Sequence, residues 1–449
     1  MMIIILLIIF VIIAFRLKKD ILIYLPIVSI VIDLSFSFFQ GSGQTTLGIS
    51  VPAIFRFVIY LIIISSFITR LNKAKYPKFY WLFLIYIFIL CLFSTDIFVS
   101  FKNYLQLALT MMMFPIGYLY FTDENKIKKF FSYSKYALGI YVISLILGNF
   151  FNVGTREFTY SGIEDSVGFF SSGSVFAGSV MVALLPVFLY FDQTKKKKFV
   201  TLILGSLFII GVLFTARRTS ILIPFIGLFV FMFFSKMKLR VTLIFTFGAI
   251  IFVILAPFFM TELTERLAVR AESGKFDINA YESEGRYFDL VNAWDQATNF
   301  DKPYEALFGA NIFAEGGWRY GVRIGRMIHN DYAVFLQGSG IIGLTLYMIL
   351  ILSIFFMVKN KHSVKRRFRY NVFHSSMISL ILILLVVSIN GGYNIMSYRS
   401  ILFLLLGAFV RLVNFKEIRR VPNNYMKFKN TGGILNNSSY GNDNVRIKI

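Results

Sequence analysis

Apolar runs about as long as a bilayer is thick recur along the whole chain, and the basic residues between them cluster at every second boundary. Roughly 20 apolar residues in helical form cross the ~30 Å hydrocarbon core, so this repetition predicts an all-α polytopic membrane protein. The runs fall near 2–15, 21–38, 50–69, 79–94, 97–120, 130–151, 167–191, 199–215, 219–235, 239–260, 332–357, 373–390 and 396–414. The first is short, reaching only about 21 Å at 1.5 Å per residue. If it lies in the interface the chain has twelve spans; if it crosses there are thirteen, with the N-terminus outside. Four regions follow: transmembrane helices over 1–260, a large outer segment over 261–330, further transmembrane helices over 331–415, and a cytosolic tail over 416–449, rich in Asn and Gly and expected to be disordered.

A net charge of +23 over 449 residues invites a nucleic-acid reading, but the charge lies in short clusters and not on one soluble face. "RLKK" (16–19), "RLNKAKYPK" (70–78), "KIKK" (126–129), "KKKK" (195–198), "KMKLR" (236–240), "KNKHSVKRRFR" (359–369) and "KEIRR" (416–420) alternate with weakly charged connections. By the positive-inside bias the clusters mark the cytoplasmic side, and no nucleic-acid partner is expected. "MMIIILLIIFVIIAF" lacks a basic start and a small-residue cleavage site, which argues against a cleaved signal. The single cysteine, Cys91, lies within an apolar run and reads as core, with no intrachain disulfide available. No glycine-rich phosphate loop or soluble βαβ unit is present, so nucleotide binding of the usual kind is not expected.

The segment 261–330 holds eleven of the 23 acidic residues and eight basic ones, a local charge of −3. Its length is unusual for a structureless connection, which predicts that it folds. Within it, "YESEGRYFDLVNAWDQA" sets Tyr287, Leu290, Val291 and Trp294 at helical spacing, predicting an amphipathic helix over the membrane mouth. Arg286 opens that stripe, or forms an ordinary i,i+4 pair with Glu282. Pro303 and Gly309 read as turns.

Between Trp318 and His329 the charge reverses: Arg319, Arg323 and Arg326 occur with no acid. On an outer face the positive-inside bias does not account for them. They either snorkel toward lipid phosphate or bind an anionic group with the fixed donor fork of guanidinium. Arg217 and Arg218 in "TARRTS" sit at another outer span end; about 100° apart on a helix, one faces the bundle and one the headgroups. His329 is the one histidine of three outside, with the pKa range suited to proton transfer, while His362 and His374 read as solvated or structural. With no second outer histidine or cysteine, a metal site is poorly supported, although Glu282 and Glu284 offer a weak E-x-E. Within the spans, Asp33, Arg56 and Lys102 stand near edges or isolated, too few for the ionisable pathway of a transporter.

"HNDYAVFLQGSGIIG" carries His329, Asn330, Gly340 and Gly343 in an H-N-x9-G-x2-G pattern after a large outer loop. This resembles the O-antigen ligase and polymerase superfamily of bacterial surface-polysaccharide assembly, as do "LFGAN" before the histidine, Arg286 in "EGRYFDLVNAW" and the arginine at an outer span end. The resemblance covers about 165–357 in motif and the whole chain in topology, and implies a GT-C-like architecture in the bacterial cytoplasmic membrane, with the large loop on its outer side. It implies a metal- and cofactor-independent glycosyltransferase whose donor is an undecaprenyl-diphosphate-linked glycan, working among membrane lipids with a flippase and a chain-length regulator as partners. Arg217 or Arg218 and Arg286 would then bind diphosphate, Arg319, Arg323 and Arg326 would guide glycan or phosphate, and His329 would take or orient the acceptor proton, with Asn330 beside it. Tyr287, Trp294 and Trp318 would stack on sugars or serve as core. Arg156, in the earlier outer connection, favours a repeat-unit polymerase for O-antigen or capsule. The alternatives are a ligase that moves the finished glycan to lipid A core, a flippase or other transporter, and a structural or sensory membrane protein.

Overall fold

The computed structural model describes residues 20–38, 51–151, 156–158, 164–166, 172–214, 218–235, 241–254, 285–299, 301–313, 317–319, 322–324, 330–358, 367–389, 391–393 and 395–414, and the single positions 12, 16, 17, 257, 264 and 328. The protein is an all-α membrane protein. Its helices are α1 Ile21–Phe38, α2 Val51–Phe67, α3 Tyr80–Leu92, α4 Ile97–Tyr120, α5 Glu124–Phe151, α6 Ser172–Ala183, α7 Leu185–Phe191, α8 Lys195–Phe214, α9 Arg218–Phe234 and α10 Val241–Ile254. After these come α11 Gly285–Thr298, α12 Pro303–Phe308, α13 Asp331–Phe356, α14 Arg367–Ile389 and α15 Met396–Asn414. Two three-residue antiparallel hairpins interrupt them, β1 Arg156–Phe158 with β2 Glu164–Ser166 and β3 Gly317–Arg319 with β4 Val322–Ile324. Among the described residues six helical stretches are long and apolar enough to cross a membrane: Pro52–Lys73, Ile97–Tyr120, Glu124–Gly148, Asp331–Phe356, Val372–Ile389 and Met396–Asn414.

Each expected span from 21–38 onward meets a helix, whereas the first apolar run, apart from position 12, and the tail lie outside the described residues. The run 167–191 is not one helix. It breaks at Leu184, with Pro186 in the first turn of α7, where a proline has no N–H for the preceding turn's carbonyl. Two helices start earlier than their apolar cores. Asp123 accepts from the backbone of Lys126 ahead of α5 and Thr194 from that of Lys197 at the start of α8, so caps, and not hydropathy, set these beginnings.

The last helix is the centre of the bundle. α15 is buried almost all the way round and lies along α4, with α14 and α6 on its other sides. A Cβ at Gly407 would strike the carbonyl of Phe114, and one at Gly117 the carbonyl of Leu404, so the two backbones touch. Lipid offers no hydrophobic drive between helices, and such close approach supplies the packing that replaces it.

Side-chain bridges sort the connections to two ends. At one, Tyr120 donates to Asp20 (3.0 Å), Tyr190 to Glu124 (2.8 Å), the Lys78 backbone to Ser353 (2.8 Å) and Asn414 to the Met357 carbonyl (2.9 Å). Lys135 and Thr201 both bind the buried Asp192 there. This end carries the described basic connections. At the other, the Thr95 backbone donates to Asn311 (3.0 Å) and Ser100 to the Ile312 carbonyl (2.6 Å).

Candidate functional site

The residues that follow "YESE" do form a helix, α11, which packs on α13 through its small residues. Asp289, Ala293 and Ala297 are buried, while Trp294 is 61% and Leu290 41% exposed. Ala293 and Ala297 pack with Ala333 and Leu336 of α13, because alanines let the two helices approach and a tryptophan would hold them apart. Leu290 and Trp294 are thereby left outward, and Trp294 is not core.

After α11 the chain turns back onto α13. Pro303 is the first residue of α12, not a turn, since a missing N–H costs nothing at that position. Gly309 does turn, at φ 75°. The "LFGAN" segment then lies on α13: the Ala310 backbone donates to the Gln337 carbonyl at 2.8 Å and the Gln296 amide to the same oxygen at 3.2 Å. What admits it is a break in α13 at Gly340, φ 64° and ψ −171°, where a Cβ would run into the Leu307 backbone. The glycine of the sequence pattern is thus a seat for the segment that precedes the histidine.

Helix α13 begins at a capped and charged turn. The Asn330 side-chain oxygen accepts from the Tyr332 and Ala333 backbones at 3.0 and 3.3 Å, so it is engaged in capping. Asp331 is fully buried and ion-pairs with Arg399 of α15, itself 1% exposed. The Tyr393 backbone donates to the second Asp331 oxygen (3.0 Å), and Arg399 reaches Tyr398 (3.2 Å) and Ser388 (3.4 Å). Ser388 in turn meets the Tyr347 hydroxyl at 3.0 Å. One ion pair therefore ties the start of α13 to the end of α14, the 391–395 connection and α15. The Tyr393 ring stacks on Phe313 at 4.8 Å, which locks the "LFGAN" segment to the same assembly, and burial followed by the nearby Asp331 carboxylate pushes the Tyr393 phenol up. One guanidinium nitrogen of Arg399, Nη1, has no hydrogen-bond partner among the described residues.

The residues singled out from sequence fall on several elements. Arg286 is the second residue of α11, and α11 neighbours strand β3, which carries Trp318 and Arg319. In the hairpin register Trp318 is opposite Arg323, and Arg319 opposite Val322. Arg218 opens α9, next to α6, whose Ser179 donates to the Ser220 carbonyl (2.9 Å) and whose Phe176 packs against Tyr398 at 5.4 Å. Arg156 is in the β1–β2 hairpin, which packs on α5. His329, Arg217, Arg326, Glu282 and Glu284 lie outside the described residues.

A second buried pair was not expected. Arg56 of α2 binds Asp33 of α1, so neither is isolated, and one turn along α2 the Tyr60 hydroxyl meets Ser400 and the Met396 carbonyl of α15. Cys91 is buried, as its apolar run suggested. Among the described residues no three His, Cys, Asp or Glu side chains gather to hold a metal ion.

No protein-family pattern matches the chain, and no curated protein is significantly similar to it. Asp331 and Arg399 are the residues sequence reasoning passed over. Asp331 sat within a motif whose histidine and asparagine drew attention, and Arg399 sat inside an apolar run as a lone charge. The available signal was that an acid and a base each stood in the first turn of a span, where neither is stable without the other.

Proposed function

We propose that the protein is a membrane glycosyltransferase that polymerises undecaprenyl-diphosphate-linked oligosaccharide units into surface polysaccharide, at the membrane face opposite the basic connections. The observation that carries this reading is the junction at the head of α13. The turn after His329 is capped and ion-paired, "LFGAN" lies on the same helix about two turns further on, and the helix and hairpin bearing Arg286, Arg319 and Arg323 stand beside one another. A metal-free transfer calls for a base and several guanidinium donors near a membrane surface, the roles proposed for His329 and these arginines.

In this mechanism the acceptor hydroxyl oxygen attacks the donor's anomeric carbon while the bond from that carbon to the diphosphate oxygen breaks. His329 takes the hydroxyl proton, and the leaving lipid diphosphate gathers negative charge. Arg286 and one of Arg217 and Arg218 neutralise that charge; fixed donors in a water-poor site are worth far more than the same groups in water. Arg319, Arg323 and Arg326 hold the glycan or its phosphate, Arg156 supplies a further outer contact, and the exposed face of Trp294 offers a sugar platform.

Lipid-linked glycan length in a strain lacking the protein tests this. A polymerase predicts accumulation of single lipid-linked repeat units. Accumulation of long lipid-linked chains instead assigns transfer to lipid A core, the ligase activity, and an unchanged glycan profile removes both.

A further inference from the structure

On a different pair of helices the bundle leaves an open groove. It has a volume of about 320 Å³ and is walled by Ala53, Ile54 and Phe57 of α2 and Phe98, Phe101 and Leu105 of α4, with Met396 of α15 also lining it. Phe98 and Phe101 are 57% and 40% exposed, as side chains facing hydrocarbon are. One cation enters this apolar wall, Lys102. It is half-buried, within a stretch apolar enough to cross the membrane, and has no ion-pair or hydrogen-bond partner among the described residues.

The position of Lys102 is informative. It lies six residues beyond Asp96, which caps α4, hence about 9 Å along the axis from the helix start. From that depth a lysine stem runs along apolar surface and brings its ammonium to headgroup level. This is the end of the bundle away from the basic connections, so the charge bias that orients membrane proteins does not explain it. Arg56, on the turn of α2 between Ala53 and Phe57, is neutralised by Asp33 and adds no free charge. The groove is thus lined by carbon, with Gln106 and the stem of Lys102 in its wall, and Lys102 is a cation at its edge with no partner among the described residues.

We propose that the groove between α2 and α4 seats one acyl chain of an anionic glycerophospholipid, with its phosphodiester on Lys102. One lysine balances the one negative charge of a phosphodiester. A lipid diphosphate carries more charge than this groove can meet, and the arginines proposed to hold the donor belong to other elements. A lysine near the membrane surface contributes roughly fivefold in preference for an anionic over a zwitterionic lipid.

The test uses the purified full chain in nanodiscs of mixed phosphatidylglycerol and phosphatidylcholine, with retained lipid counted by native mass spectrometry. The wild-type chain is expected to retain phosphatidylglycerol about fivefold over phosphatidylcholine. Lys102→Gln should abolish the preference while phosphatidylcholine still binds, and Lys102→Arg should keep it. Ala53→Trp and Leu105→Trp fill the groove from opposite walls, and each should lose the retained lipid of both kinds. Equal phosphatidylglycerol retention by wild type and Lys102→Gln overturns the proposal. So does displacement of phosphatidylglycerol by equimolar undecaprenyl diphosphate, which would make the groove part of the donor site. None of these readouts requires glycosyl transfer.

Discussion

At the scale of the residue, the pair Asp331–Arg399 is the most constrained chemistry in the protein. Two charges nearly removed from solvent cost several kcal/mol each to desolvate, and the pair survives because each is the other's partner. Asp331→Asn leaves Arg399 buried and uncompensated and should destabilise the protein by about 3 to 5 kcal/mol. Thermal unfolding of the purified chain in detergent reads this as a large fall in midpoint. Asp331→Leu with Arg399→Met together should recover most of the loss, since apolar groups of similar size replace a buried pair at little cost. An unchanged midpoint in Asp331→Asn would show that the pair is not buried in the folded protein. His329 is tested through its chemistry. If it is the general base, His329→Ala should lower glycan extension by about 10² to 10⁴ with the protein still inserted, and His329→Gln should not rescue it. Rescue by Gln would make the residue an orienting group, and full activity in both would remove it from the mechanism.

At the scale of the element, α13 shows how one glycine decides what a helix can carry. Gly340 both breaks the helix and gives the Leu307 backbone room to sit against it. Gly340→Ala adds a Cβ at φ 64° and in the path of that backbone, which should cost about 1 to 3 kcal/mol in strain. The affected contacts are those of residues 307–313, so the change should be local. In a Cys91→Ser background, Asn311→Cys should label with an aqueous thiol reagent faster when Gly340→Ala is added, while labelling at the opposite end, at Thr194→Cys, stays the same. Equal rates at residue 311 would mean that the segment does not depend on the break. Helix α11 makes the complementary point. Its hydrophobic periodicity was readable, but small residues rather than large ones chose the buried face, because the partner helix had to come close.

At the scale of the whole molecule, the prediction concerns sidedness. If the positive-inside bias puts the basic clusters in the cytoplasm, the segment 261–330 should lie outside. In intact cells freed of any outer barrier, and in a Cys91→Ser background, Ser273→Cys should react with an impermeant thiol reagent and Thr194→Cys should not. The reverse result inverts the orientation and moves the proposed chemistry to the cytosol.

The class of the protein and the placing of its helices were legible because a bilayer judges each segment by itself: length and hydropathy are local sums, and backbone hydrogen bonding inside lipid leaves an apolar run little choice but the helix. The caps at Asp123 and Thr194 and the proline break at Leu184 moved boundaries by a turn or two without changing that order. The partners were not legible. Asp331 and Arg399 are 68 residues apart, and Asp33 and Arg56 are 23 apart. Nothing in either neighbourhood marks the other, since an ion pair is a relation between helices and each helix alone shows only an unfavourable charge. The inward face of α11 and the seat of "LFGAN" on α13 depend likewise on how closely two backbones approach. That distance is set by the shape of both surfaces at once, so only the tertiary structure decides it.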